Sequence, residues 1–252
     1  EREAGFSMEL WAENMGVYTV GFISPTGEVA REISVPLRGE NTVSFLLERT
    51  QITVYTQIAD VSAGSQFIFM RFENPMSGIW RILIRNSLDI RETFHLWLPV
   101  RGFITDETYF LRPDPDTIIT DPGNARYPIT VTAYDHTKNS IYIHASRGYS
   151  LSGRIKPDLA APGVNILGAS VSGRRLTRMS GTSVSAAHLA GAAAILLNWG
   201  VLNANYPYLN TPVLKSIFVR GAQRNPALTY PNREFGYGTL DLYEAFLHLR
   251  NL

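Results

Sequence analysis

The run Met179-Ser-Gly-Thr-Ser-Val-Ser-Ala-Ala-His-Leu-Ala-Gly191 has the make-up of a nucleophile set at the mouth of a helix. Ser183 follows Gly181-Thr182 and opens an apolar, alanine-rich stretch. The first N–H groups of a helix have no intrahelical acceptor, and the helix dipole favours negative charge beside them. A serine at that place has a hydroxyl to attack a carbonyl and, in its own N–H, a donor for the oxyanion that results. Ser183 is therefore the candidate nucleophile. A helix N-cap serine, whose hydroxyl satisfies one free N–H, would occupy the same place.

Such a serine needs a base, and none of the five histidines is readily assigned to it. His188 lies five residues further along the same helix, about 140° around its axis, and cannot face the Ser183 hydroxyl. His95 sits in a strand-like pattern, His136 and His144 flank a turn at Asp135–Ser140, and His248 is close to the C-terminus. None comes with an orienting carboxylate.

Composition narrows the class. The 252 residues are enough for one large domain or two ordinary ones, and 45% hydrophobic against 18% charged residues allows a sizeable core. A net charge of +1, from 23 basic and 22 acidic residues, argues against a nucleic-acid or polybasic membrane role. With no cysteine, disulfides, thiolate catalysis and Cys-ligated zinc are excluded. The continuous apolar stretch near Leu189–Leu197 is too short to cross a bilayer. The opening Glu1-Arg-Glu-Ala-Gly-Phe reads as the middle of something rather than as a signal peptide.

The pattern changes near residue 105. Before it, period-two alternation predicts strands at Ser7–Trp11, Val17–Ile23, Glu28–Val35, Thr42–Leu47, Gln51–Gln57, Phe67–Glu73, Ile79–Arg85 and Thr93–Leu98. Turn signals such as Ser24-Pro-Thr-Gly27 and Asn74-Pro-Met-Ser-Gly78 separate them. Short strands without helices predict an all-β jelly-roll sandwich over residues 1–105. Trp11, Trp80 and Trp97 fit a buried alternation as well as an exposed one, so no exposed aromatic row stands out. After residue 105, strands at Thr130–Tyr134 and Ile141–Ile143 alternate with helices at about 183–198, 211–221 and 241–250, the grammar of an α/β parallel sheet. The helix after Ser183 is apolar on nearly every face and is expected to be buried all round.

Residues 106–252 resemble the C-terminal portion of the subtilisin-like serine proteases, the subtilases. Gly181–Gly191 matches the family's nucleophile block. Ser146-Arg-Gly148 with Gly153-Arg-Ile-Lys-Pro-Asp-Leu-Ala-Ala-Pro-Gly-Val-Asn-Ile166 matches the segment before it, and Phe235-Gly-Tyr-Gly-Thr-Leu-Asp241 matches the closing loop. The sandwich is similar to the jelly-roll insertion of clostridial spore-germination subtilases, which activate a cortex-lysing hydrolase by cutting its precursor.

The resemblance implies a serine endopeptidase in which Ser183 is the nucleophile, its N–H an oxyanion donor, and Thr182 a support. The loop Asp121-Pro-Gly-Asn-Ala-Arg-Tyr-Pro128 resembles a wall of the substrate pocket, with Pro122 and Gly123 as substrate-binding residues. Asn124 sits in the only Gly-Asn pair but not at the place of the family's oxyanion asparagine. The family's Asp-Thr/Ser-Gly and His-Gly-Thr-His motifs do not occur in this sequence. The expectation is thus a piece of a protease whose Asp, His and oxyanion Asn lie in a missing N-terminal half, with an exposed sheet edge and helix face where that half belongs. The alternative is an inactive pseudoprotease or a binding module.

The resemblance implies protein or peptide substrates, no nucleic-acid or membrane partner, and an extracellular or spore-associated location. No metal or other cofactor is required. Asp114, Asp116 and Asp121 lie where a calcium ion is conceivable, because subtilases often carry one, but their spacing follows no known loop code. Arg174, Arg175 and Arg178, just before the nucleophile, read either as a solvated basic loop or as contacts for an acidic substrate. Ala187 stands where the family has proline before the helix histidine, which a helix tolerates.

Overall fold

The computed structural model describes residues 4–12, 17–33, 38–60, 65–88, 93–100, 102–171, 173 and 175–249. The expected strand end at 34–35, Arg174 and the last residue of the terminal helix fall outside them. The chain divides into two compact units, Glu1–Arg112 and Pro113–Leu252.

The first unit is built from eight strands: β1 (Gly5–Ala12), β2 (Tyr18–Ile23), β3 (Val29–Ile33), β4 (Arg38–Phe45), β5 (Thr50–Asp60), β6 (Ser65–Glu73), β7 (Arg81–Asn86) and β8 (Phe94–Trp97). They form a five-stranded sheet in the order β4-β5-β6-β1-β8 and a three-stranded sheet in the order β3-β2-β7. Every pairing is antiparallel. Alternate residues of the two sheets meet in one core. Met8 and Leu10 come from β1, Val20 and Phe22 from β2, Ile52 and Val54 from β5, and Ile68, Met70 and Phe72 from β6. Phe72 stacks on Phe6 at 4.6 Å and meets Phe22 and Trp80 edge-on at 5.6 and 6.0 Å. Buried Gln66 ties the sheets together, accepting from the Tyr18 N–H at 2.6 Å and donating to the Tyr18 carbonyl at 2.9 Å.

Two strand ends differ from expectation. Leu46 and Leu47 lie in a turn, because the Glu28 carboxylate accepts both of their N–H groups at 3.3 Å and removes them from the ladder. Ile79 and Trp80 precede β7, with the Trp80 indole donating to the Met76 carbonyl at 3.0 Å.

The second unit holds β9 (Val131–Asp135), β10 (Ser140–Ile141), β11 (Leu159–Pro162), β12 (Ile166–Ala169), β13 (Leu176–Met179) and three α-helices, α1 (Thr182–Leu197), α2 (Thr211–Gly221) and α3 (Leu242–Leu249). The sheets are mixed rather than purely parallel. β9 and β11 run parallel, while β10 folds back antiparallel on β9. The reason is local. The Asp135 carboxylate accepts from the Thr137 N–H at 2.9 Å and the Thr137 hydroxyl at 2.6 Å, closing a tight turn that only an antiparallel partner can follow. The expected strand Ile141–Ile143 is cut to its first residue, and Ile143 is exposed.

α1 packs on β9 and β11. It buries one stripe, Ser185, Leu189, Ala192 and Leu196, at spacings of four, three and four residues. Leu189, Ala192 and Leu196 join Leu214, Ile217 and Phe218 of α2 and Ala245 of α3 in the core. The other faces of α1 are open, which departs from the all-round burial its composition predicts and matches the exposed helix face expected of this segment on its own. Ile195 is 53% exposed, and Ala186, Ala187, Ala190 and Ala194 are open. With the π-helical turn that continues it (Asn198–Leu202), the helix spans 21 residues and is long and apolar enough to cross a membrane by length and composition. The sequence reading counted only the unbroken apolar run Leu189–Leu197 and left out the uncharged residues that extend the helix on both sides of it. A core helix meets the same criterion, and here one stripe is seated on the sheet.

Candidate active site

β12 and β13 pair as an antiparallel hairpin that delivers the chain to Gly181. Gly181 is the residue before α1, with φ 152° and ψ 163°, a conformation open essentially to glycine alone. Its carbonyl accepts from Val184 at 3.1 Å and from Ser185 at 3.4 Å, and its N–H donates to the Gly163 carbonyl at 2.8 Å. The Thr182 and Ser183 N–H groups lie in the first turn, where a helix offers no acceptor. No side chain caps this end, and Thr182 and Ser183 are both exposed. The structure thus places Ser183 where the sequence reading did and leaves its hydroxyl outside an N-cap role.

A neighbouring serine pins this helix end. The fully buried Ser185 hydroxyl donates to the Ala161 carbonyl at 2.9 Å. Gly163, next to β11, allows the approach. A Cβ there would lie 2.3 Å from the Ser185 Oγ, 2.6 Å from the Ala133 Cβ and 2.9 Å from the Gly181 carbonyl. Gly163→Ala must therefore push α1 off the end of β11. The expected results are a loss of about 1–3 kcal/mol, the usual cost of overpacking, in urea denaturation, and a disturbed backbone at Gly181.

Among the described residues no histidine of the second unit is hydrogen-bonded to the Ser183 hydroxyl. The His188 Nδ1 is 3.1 Å from the Val184 carbonyl on its own helix, and the His144 ring meets Tyr142 edge-on at 5.2 Å. His136 and His248 are exposed, and His95 belongs to β8 of the first unit.

Asn124 does not present its amide to a ligand. Its Nδ2 donates to the Ile119 carbonyl and its Oδ1 is buried. Pro122 is exposed. The Gly123 carbonyl accepts from the Thr130 hydroxyl at 2.6 Å, which fixes the loop to the start of β9. Asp116 pairs with Arg233 at 2.9 Å, and Asp114 accepts the Asp116 N–H at 2.9 Å. Among the described residues no three His, Asp or Glu side chains gather as a metal site. Arg178 donates to the Asn165 carbonyl at 2.9 Å. A cavity of about 340 Å³, lined by Tyr134, Gln223, Arg224, Asn225, Tyr230 and Phe235, includes neither Ser183 nor its flanking residues.

The sequence reading missed the polar cluster beneath the Pro122–Gly123 loop. Lys156 and Asp158 are fully buried and pair at 2.9 Å. The Lys156 ammonium also donates to the Pro128 carbonyl at 2.8 Å and the Thr130 hydroxyl at 2.9 Å. Asp158 accepts the Thr130 N–H at 2.7 Å and pairs with Lys215 of α2. Burial holds the Lys156 ammonium below its ordinary pKa, against the opposing pull of Asp158. The Lys-Pro-Asp spacing was the available signal, since two charges flanking a proline inside an apolar run need partners once buried.

The model of the peptidase S8 subtilase family matches residues 112–238, half of the chain. Subtilisin-like protease 1 of Pseudogymnoascus destructans is 33% identical over 106 residues, covering 42% of this chain and 24% of that protein. Serine protease AprX of Bacillus subtilis is 35% identical over 104 residues, covering 34% and 23%. The solved CspB protease of Clostridium perfringens superposes with a TM-score of 0.88 at 28% identity, covering 99% of this chain and 52% of that one. The chain thus spans about half of that protease and about a quarter of the curated relatives. With the family model matching half of its length, the chain belongs to the subtilase family.

Proposed function

We propose that this chain is the C-terminal part of a subtilisin-like serine endopeptidase and carries its nucleophile, Ser183. One observation carries the reading: Ser183 is exposed in the first turn of α1, uncapped, with its N–H unclaimed by the helix. In the proposed reaction its Oγ bonds to the scissile carbonyl carbon. The oxyanion accepts a hydrogen bond from the Ser183 N–H, with Thr182 as support. Collapse breaks the C–N bond, the proton from Oγ leaves on the amine, and water then cleaves the acyl-enzyme. The proton carrier, the carboxylate that orients it and a second oxyanion donor come from a preceding part of the protein. Support for that division is the share of each relative that the chain covers and the lack of both family motifs in its sequence. The same part would cover the open faces of α1.

In this reading Pro122 and Gly123 line the substrate cleft, the substrate is a protein or peptide, and the chemistry calls on no cofactor. The first unit is a jelly-roll insertion like that of the clostridial germination proteases, and the protein works outside the cell or in the spore. The test is labelling by a fluorophosphonate probe of the chain produced together with the polypeptide encoded ahead of it. Modification of Ser183 is expected. A probe that leaves this oxygen untouched overturns the reading.

A further inference from the structure

The loop from Asp121 to Pro128 rests on a chain of hydrogen bonds whose direction is set by one buried ammonium. Lys156 is 1% exposed, and its Nζ lies 2.8 Å from the Pro128 carbonyl, 2.9 Å from the Thr130 hydroxyl and 2.9 Å from the Asp158 carboxylate. An ammonium has three donors and no acceptor, so these three partners use all of it. The Thr130 hydroxyl must then accept from Lys156. Its single proton is left for the Gly123 carbonyl, 2.6 Å away. Packing acts in the same sense. A Cβ on Gly123 would lie 2.9 Å from the Thr120 carbonyl and 3.3 Å from the Thr130 methyl, so the loop backbone lies directly on this side chain. The far end of the chain is anchored in turn. Asp158 accepts the Thr130 N–H at 2.7 Å and pairs with Lys215 of α2.

We propose that Thr130 and Lys156 are positioning residues for substrate binding: the Lys156 ammonium aims the Thr130 hydroxyl, and that hydroxyl holds the Gly123 backbone in place on the cleft wall. The inference rests on the reading that Pro122 and Gly123 line the cleft. Neither positioning residue touches substrate or the reacting atoms. Two of the three acceptors of Lys156, the Pro128 carbonyl and the Thr130 hydroxyl, stand where the loop runs into β9, so the buried charge is turned towards the loop. Hydrogen bonds from a charged donor are also the stronger kind, which makes a stiff support. A loop held in this way needs no ordering when substrate arrives. A loop released from it occupies the competent arrangement only part of the time, and apparent affinity falls by that fraction. The wall meets substrate in the ground state and the transition state alike, so the loss falls on KM and leaves kcat unchanged.

Steady-state kinetics on a peptide substrate test this, with the chain produced together with the polypeptide encoded ahead of it. Thr130→Val keeps the shape and the methyl contact and removes the hydroxyl. It is expected to raise KM about threefold to tenfold, the weight of one hydrogen bond, at unchanged kcat. Thr130→Ser, which keeps the hydroxyl, should restore KM to within about twofold of the parent. Lys156→Met combined with Asp158→Leu, which removes the aiming charge together with its counter-charge, should raise KM as Thr130→Val does. Thr137→Val, which removes a hydroxyl bond of the same 2.6 Å from an exposed turn, leaves KM unchanged. If Thr130→Val fails to fold by circular dichroism, Thr130→Ala takes its place. The fluorophosphonate probe should label Ser183 in the parent and in every folded variant. With Ser183 labelled, the parent's KM in the folded hydroxyl-free variant or in the folded double variant overturns the proposal, as does a Thr130→Ser variant no better than Thr130→Val, and the protease reading stands. An unlabelled Ser183 in the parent overturns that reading and this proposal with it.

Discussion

On the proposed function, replacing Ser183 by alanine is expected to lower the turnover of the reassembled protein about a million-fold, the loss known from subtilisin when its nucleophile is removed. The size follows from what is lost. Without the Oγ there is no acyl-enzyme, and what survives is binding and oxyanion stabilisation acting on water. KM should change little, because Ser183 is exposed and, among the described residues, no hydrogen bond to its hydroxyl holds the helix end together. The 252-residue chain on its own should be as inert as this variant, since among the described residues no histidine of its second unit is hydrogen-bonded to the Ser183 hydroxyl. Burst kinetics on an activated ester would check both statements. Turnover by the chain alone that disappears with Ser183→Ala would show that the base lies within it.

Asp158→Ala is expected to cost the second unit about 3–5 kcal/mol, the range for removing one partner of a buried ion pair. Asp158 is fully buried and meets two lysines, Lys156 and Lys215. Its removal leaves the Lys156 ammonium buried without its counter-charge and strips the Thr130 N–H of its acceptor. Lys156→Met combined with Asp158→Leu should recover part of the loss, because a well-packed apolar pair avoids the cost of desolvating charge. Urea denaturation of the three variants makes the comparison. A single variant within 1 kcal/mol of the parent would mean that water reaches the cluster.

Ser183 and the helix it opens were legible because their signal is contiguous: a glycine turn, a serine and an apolar run follow one another in the chain. The eight strands of the first unit were legible for a similar reason, since turn residues punctuate them. What the sequence could not show was which alternate residues face inward. In Phe67-Ile68-Phe69-Met70 both sets are apolar, so the period of two leaves the register open, and a one-residue slip exchanges core for surface. The structure resolves it by pairing Ile68 with Leu10 and Phe67 with Trp11. For α1 the all-round burial read from its composition is not met in this chain, while the exposed face expected of this segment on its own is. An all-round apolar helix implies neighbours on every side, and this chain supplies them for the stripe from Ser185 to Leu196 alone. The Lys156–Asp158 cluster was hidden because its completing groups, Thr130 and Lys215, stand far away in sequence.

The stripe pattern of α1 also bears on handling. Ile195, Leu197, Val201 and Leu202 stand in solvent on a helix that carries no charged side chain from Thr182 to Leu202. Nothing ionic interrupts that greasy strip or keeps two molecules apart when they meet along it. Purified alone, the polypeptide will behave as a colloid prone to clumping, tolerant of dilution and intolerant of concentration and kosmotropic salt.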